Sequence, residues 1–151
     1  MNSEDKYATL HLRNQLCFPL YACARKIINA YTPFLKEINL TYPQYVTMMV
    51  LWECKSISMH ELGKILYLDS GTLTPLLKKL ETMGLVCRQR SKEDERVLLI
   101  NITESGIELR EKALKIPEGM VCRLNQEHPL FDKNEALKLK EQLYRIIEAL
   151  E

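Results

Sequence analysis

The stretch "SMHELGKILYLDSGTLTPLLKKLETMGLVCRQRSKEDERVLLINI", residues 58–102, decides the fold because its period changes half-way. "SMHE" at 58–61 is a capping box, in which a serine and a glutamate three residues on satisfy orphan N–H groups at a helix start. Leu62, Ile65 and Leu66 give the short helix that follows an inward side. "YLD" is a three-residue turn, and beyond it Leu73, Leu76, Leu77, Leu80 and Met83 form one apolar stripe at helical spacing. Gly84 is the stop, since the residue past a helix end often adopts the left-handed conformation. Two short helices joined by a tight turn make a helix-turn-helix. From residue 85 the period falls to two: "LVCRQR" and "RVLLINI" read as strands around a polar "SKEDE" turn, with Leu98, Ile100 and Ile102 on one face. The hairpin makes the helix-turn-helix winged.

The flanks are helical. "TYPQ" at 41–44 is a second capping box, and its helix runs to about Cys54. Leu12, Leu16, Leu20, Ala24, Ile27 and Ile28 predict a long helix over residues 8–32, ended or bent by Pro33. Inside such a helix Pro19 would cost ~3 kcal/mol and leave the Gln15 carbonyl free, so it demands a reason. A helix over 104–124 with a kink at Pro117, a polar loop through His128 and Pro129, and a last amphipathic helix complete the chain. That last helix carries Ala136, Leu139, Leu143, Ile146, Ile147 and Leu150 on one side.

The fold class is therefore mainly α with a small β-hairpin wing, one domain over residues 1–151. The winged helix-turn-helix spans 41–103, and the segments 8–40 and 104–151 are expected to interlock two chains as a homodimer. One winged unit alone binds DNA weakly, and the two halves of a palindromic operator call for two.

Composition narrows the function. With 46% apolar and 27% charged residues the chain reads as an ordinary folded protein. A net charge of +1 gives no global field for nucleic acid, so any DNA binding must rest on local charge. "MNSEDKYATL" is not a secretory leader, and no apolar run approaches the ~18 residues a membrane span needs, so a cytoplasmic location without membrane contact is expected. Cys17, Cys23, Cys54, Cys87 and Cys122 are odd in number and contain no CxxC pair, which argues against a disulfide framework. His11, His60 and His128 are not at zinc-ligand spacing, so neither a metal nor another cofactor is expected.

The face of residues 70–83 opposite the leucines carries Gly71, Thr74, Pro75, Lys78 and Thr82, with Ser70, Thr72 and Lys79 beside it. Small and hydroxyl residues let a helix approach base edges, and lysines meet phosphates or guanines. The wing adds Arg88, Arg90, Lys92 and Arg96 for a narrow minor groove, with Asp94 placed to orient the Arg96 guanidinium.

"LYLDSGTLTPLLKKLETMGLVCRQRSKEDERVLLINITESG", together with "NQLCF" at 14–18 and "LTYPQY" at 40–45, resembles the MarR family of regulators. Within it these motifs are most similar to the organic-hydroperoxide-responsive (OhrR-type) branch. The resemblance covers about residues 10–117. It implies a homodimeric repressor of double-stranded DNA whose sensing cysteine is Cys17, with Tyr21, Tyr31 and Tyr42 as the matching tyrosines. It also implies that oxidised Cys17 is resolved either by Cys122 of the other subunit or by a small thiol.

The chemistry asks for such residues. The thiolate is the nucleophile toward peroxide, and hydroxyl hydrogen bonds to sulfur favour that form. Tyr31 lies fourteen residues beyond Cys17, ~21 Å along a continuous helix, so only a partner subunit could bring the two together. Leu16, Phe18 and Leu20 favour organic over inorganic hydroperoxide, while Cys23 is a bystander and Cys54 and Cys87 read as structural. Two alternatives stay open: a MarR-type regulator released by a small phenolic ligand, and a thiol peroxidase.

Overall fold

A computed structural model describes residues 6–125 and 132–150. It contains two compact units, Met1–Ile116 and Pro117–Glu151. The loop expected through His128 and Pro129 lies outside the described residues.

The N-terminal helix begins later than its apolar spacing suggests. Ala8–Leu10 and Leu12–Asn14 are single 3-10 turns, and α1 spans Cys17–Glu37. The Asn14 and Gln15 side-chain amides donate to the carbonyls of Ala8 and Thr9, so local side-chain bonds compete with helix there. This shift resolves the cost assigned to Pro19. It is the third residue of α1, where a backbone N–H would have no intrahelical partner to lose. Pro33, expected to end or bend the helix, stands inside it; α1 continues for another turn and closes at Asn39, with φ of 56°.

α2, Tyr42–Cys54, starts on the expected capping box, with the Thr41 N–H donating to Gln44 Oε1 at 2.8 Å. Met48 and Leu51 are fully buried in the core. β1, Ser56–Ser58, was not anticipated. α3, Met59–Leu66, opens on the second box, where Ser58 Oγ accepts from the Glu61 N–H at 3.2 Å. Its turn, residues 67–69, contains Tyr67 in the left-handed region, φ 53°.

α4, Ser70–Thr82, buries Leu73, Leu76, Leu77 and Leu80 as the stripe required. Gly84, φ 73°, lets the Leu85 N–H reach back to the Leu80 carbonyl at 3.0 Å and the Gly84 N–H to Glu81 at 2.9 Å. β2, Val86–Arg90, and β3, Leu98–Ile102, form the wing, with Val86 and Ile100 its fully buried residues. The sheet order is β1-β3-β2, antiparallel throughout, so β2 is an edge.

α5, Glu104–Ala113, and α6, Lys115–Leu124, replace the single kinked helix expected over 104–124. The break lies at Leu114 rather than at Pro117. Proline at 117 cannot donate to the carbonyl of Ala113, the residue at which α5 ends. α7, Lys133–Glu148, is capped by Asp132, whose carboxylate accepts from the Asn134 and Glu135 N–H groups.

One core joins α1 to α5 in the first unit: Leu35, Leu40, Met48, Leu51, Leu62, Leu77 and Ile100 are among its members, and Ile116 completes it. Two contacts tie its outer parts. Trp52 Nε1 donates to the Gly106 carbonyl at 2.7 Å, and Thr103 Oγ1 to the Gly84 carbonyl at 2.6 Å.

Candidate nucleic-acid interface and sensor site

The leucine stripe turns the opposite side of α4 outward. Ser70, Gly71, Thr72, Thr74, Pro75, Lys78 and Lys79 are all exposed, as the sequence pattern requires. Several are engaged locally. Asp69 caps α4 by accepting from the Thr72 N–H at 2.9 Å and its hydroxyl at 3.0 Å. Those bonds hold the Asp69 carboxyl below the usual carboxylate range. Thr74 and Thr82 donate to the carbonyls one turn back, Ser70 and Lys78. Pro75 stands inside the helix, where it cannot donate to the Gly71 carbonyl one turn back.

The wing is braced from within. Ser91 N–H donates to the Val97 carbonyl at 2.9 Å, and Arg90 Nη1 to the Arg96 carbonyl at 3.3 Å. Asp94 was expected to orient the Arg96 guanidinium; instead its Oδ1 accepts from the Arg96 backbone N–H at 2.9 Å and shapes the turn. The Arg96 and Lys92 side chains are exposed at the tip. Arg88 is held against α4, its guanidinium paired with Glu81 at 2.7 Å. Glu81 is the residue that sequence reasoning passed over, because nothing local distinguishes it from a solvated helix glutamate.

The residues expected to sense peroxide fall in two places. Cys17 is the first residue of α1 and is exposed, with Leu16, Phe18 and Tyr21 exposed around it. Arg25 lies over the Tyr21 ring, 5.5 Å from its centroid, and donates to its hydroxyl at 3.3 Å. At the far end of α1, Tyr31 packs on Tyr42, centroids 5.1 Å apart, and on Tyr45, 6.1 Å apart. Burial and then the neighbouring Tyr42 push the Tyr31 phenol upward; burial, Tyr31 and Tyr42 do the same to Tyr45. Both phenols therefore keep their protons at neutral pH and remain donors.

Tyr45 is buried at 4% exposure between Tyr31 and Trp52; the "TYPQY" motif contained it, yet its role needed the packing. α1 runs unbroken between the two places, so fourteen residues at ~1.5 Å each keep Cys17 and Tyr31 of one chain apart. Cys122 is exposed in α6. Cys54 and Cys87, read as structural, are exposed as well.

Fold and surface together define a winged helix-turn-helix regulator of transcription. The family model for the transcriptional regulators SarA/Rot matches residues 29–113. The organic hydroperoxide resistance transcriptional regulator of Bacillus subtilis (strain 168) is 47% identical over 148 residues, 97% of each chain. Reduced AbfR bound to DNA superposes with a TM-score of 0.75 at 32% identity, covering 94% of this chain and 96% of that one. AbfR is from Staphylococcus epidermidis. Its disulfide form matches less well, with a TM-score of 0.63 at 34% identity over 92% of this chain and 94% of that one. The chain belongs to the MarR/SarA-type family of winged-helix transcriptional regulators, on the organic-hydroperoxide branch its motifs indicated.

Proposed function

We propose that the protein is a homodimeric repressor that binds a palindromic operator, senses organic hydroperoxides through Cys17 and then releases the DNA. The observation that carries this reading is the match along nearly the whole chain to a regulator named for organic hydroperoxide resistance. Three structural features support it. Cys17 is exposed on the first turn of α1, among Leu16 and Phe18, surroundings that suit an alkyl peroxide. The Tyr31–Tyr42 pair is preassembled with a protonated donor at Tyr31. The early part of α1 and the apolar residues of α7 stand exposed in the single chain, as faces that a second chain would cover.

In this reading the Tyr31 and Tyr42 hydroxyls of one subunit approach Cys17 of the other. The thiolate sulfur attacks the terminal oxygen of the hydroperoxide, the O–O bond breaks, and the alkoxide leaves as the alcohol after taking a proton. Cys17 is then a sulfenic acid. A thiol, either the partner subunit's Cys122 or a small molecule, condenses with it to a disulfide and water. Binding to DNA, rather than turnover, is the activity.

The test compares operator binding of wild type and Cys17→Ser before and after one equivalent of an organic hydroperoxide. Release of wild type with retention of the serine variant is expected; equal release of both sinks the sensing role. Continuous peroxide consumption with a thiol reductant would support a thiol peroxidase instead. On a non-reducing gel, a covalent dimer of oxidised wild type that Cys122→Ser lacks would assign the resolving role to Cys122, and persistence of that dimer in the variant would sink it.

A cleft of about 460 Å³ beside α4, lined by Lys36, Asn39, Thr41, Gln44, Lys79 and Thr82 among others, favours a second reading. Its two lysines could hold a phenolate or carboxylate. Release of Cys17→Ser from DNA by a phenolic acid is the outcome that would support it.

A further inference from the structure

One carboxylate fastens the wing to the DNA-reading helix. Glu81, in the last turn of α4, accepts from the Arg88 backbone N–H at 3.0 Å through Oε1. Its Oε2 accepts from Arg88 Nε at 2.9 Å and from Nη2 at 2.7 Å. We propose that Arg88 is a positioning residue rather than a DNA contact, and that the Glu81–Arg88 clamp sets the angle between α4 and the wing so that both engage DNA together.

Three observations converge on this. β2 is the edge of the sheet, so an amide pointing away from β3 has no strand to pair with, and Glu81 supplies the acceptor. The guanidinium uses two nitrogens of its fork on Glu81, a geometry that lysine cannot reproduce. Finally, Arg88 and Glu81 are only 25% and 35% exposed at their side chains, whereas Lys78, Lys79, Lys92 and Arg96 are exposed cations on the same surface. A negative charge on a helix that reads a polyanion weakens binding, so Glu81 acts here through the arginine it holds.

This inference rests on operator binding, and the test separates the two. A DNA duplex is first selected from a random pool by the wild-type protein, and affinity is then measured across a salt series. Glu81→Gln should bind about tenfold more weakly even though it removes a negative charge. Arg88→Lys, which keeps the charge but loses the fork, should weaken binding by a similar factor. In neither variant should the slope of log affinity on log salt drop by the ~0.9 that a lost phosphate contact costs. If Glu81→Gln binds as tightly as wild type or tighter, the clamp is wrong. It is equally wrong if Arg88→Lys binds like wild type while Arg88→Met loses ~0.9 of slope. Without DNA, Glu81→Ala should speed hydrogen exchange at the Arg88 amide while the Leu77 amide stays protected; unchanged exchange at Arg88 overturns the clamp independently. Failure of the wild type to select any duplex would count against the operator reading alone.

Discussion

At the scale of single residues, exposure does not distinguish Cys17, proposed as the sensor, because all five cysteines are exposed. Local bonding sets Cys54 apart. Cys54 donates its S–H to the Val50 carbonyl at 3.1 Å, and partial burial of its sulfur pushes the thiol above its ordinary range. A raised thiol pKa lowers the thiolate fraction at neutral pH, and the thiolate is the reactive form. Iodoacetamide labelling followed by peptide mass spectrometry should therefore show Cys54 reacting slowly at neutral pH, its rate rising only under more alkaline conditions. Labelling as fast as a free thiol at pH 7 would contradict that ordering. Glu81 runs the other way: bonds from Arg88 hold its carboxyl below the usual range. A depressed folded pKa stabilises above the unfolded value and is lost as pH falls through the folded one. The melting temperature of wild type should thus exceed that of Glu81→Gln at neutral pH, and the gap should close once acidification passes below the ordinary carboxylate range.

At the scale of elements, helix ends and close approaches decide which changes the fold tolerates. Gly84 at φ 73° has no atom within 4 Å of an added Cβ, so Gly84→Ala carries only the backbone penalty of the left-handed region, about 1–2 kcal/mol. At Gly106 an added Cβ would run into the Leu85 carbonyl oxygen and the Ile102 side chain, just where α5 abuts the wing. Overpacking of that kind costs about 1–3 kcal/mol, and the Trp52 bond to the Gly106 carbonyl would be strained as well. Urea unfolding of the two variants should rank Gly106→Ala the less stable, and the reverse order would mean that α5 shifts freely.

The same local logic explains what could be read without coordinates. Both capping boxes, the leucine stripe of α4 and the hairpin depend on neighbours within a few residues, and all appear as expected. β1 is three residues long and exists only through pairing with β3 some forty residues on, as in Ser56 with Asn101. The Glu81–Arg88 clamp and the support of Tyr31 by Tyr45 are likewise products of packing, for which sequence spacing holds no signal.

At the scale of the molecule, the core of the first unit is complete within one chain, yet substantial apolar surface lies outside it. Leu10, Leu16, Phe18, Tyr21 and Ile28 are exposed at the beginning of the chain, and Leu137, Leu139, Leu143, Tyr144 and Ile146 on α7. Scattered exposed leucines are normal, but several at helical spacing on the same element mark an interaction surface. The second copy of the chain proposed above would cover this surface and would also answer the separation of Cys17 from Tyr31 along α1. Placing glutamates at Leu139 and Leu143 should therefore convert the proposed dimer to a monomer in sedimentation at micromolar concentration. Neither residue belongs to the core of the first unit, so the α-helical circular dichroism of that unit should persist. A monomer engages one half-site at a time and forfeits the advantage of linkage, so operator affinity should fall by roughly 10²-fold or more. It should also lose its sensitivity to peroxide, because Cys17 would have no tyrosine pair from another chain beside it. Persistence of the dimer mass in this double variant would place the subunit contact elsewhere, and persistence of peroxide release in a proven monomer would require Cys17 to act without the Tyr31–Tyr42 pair.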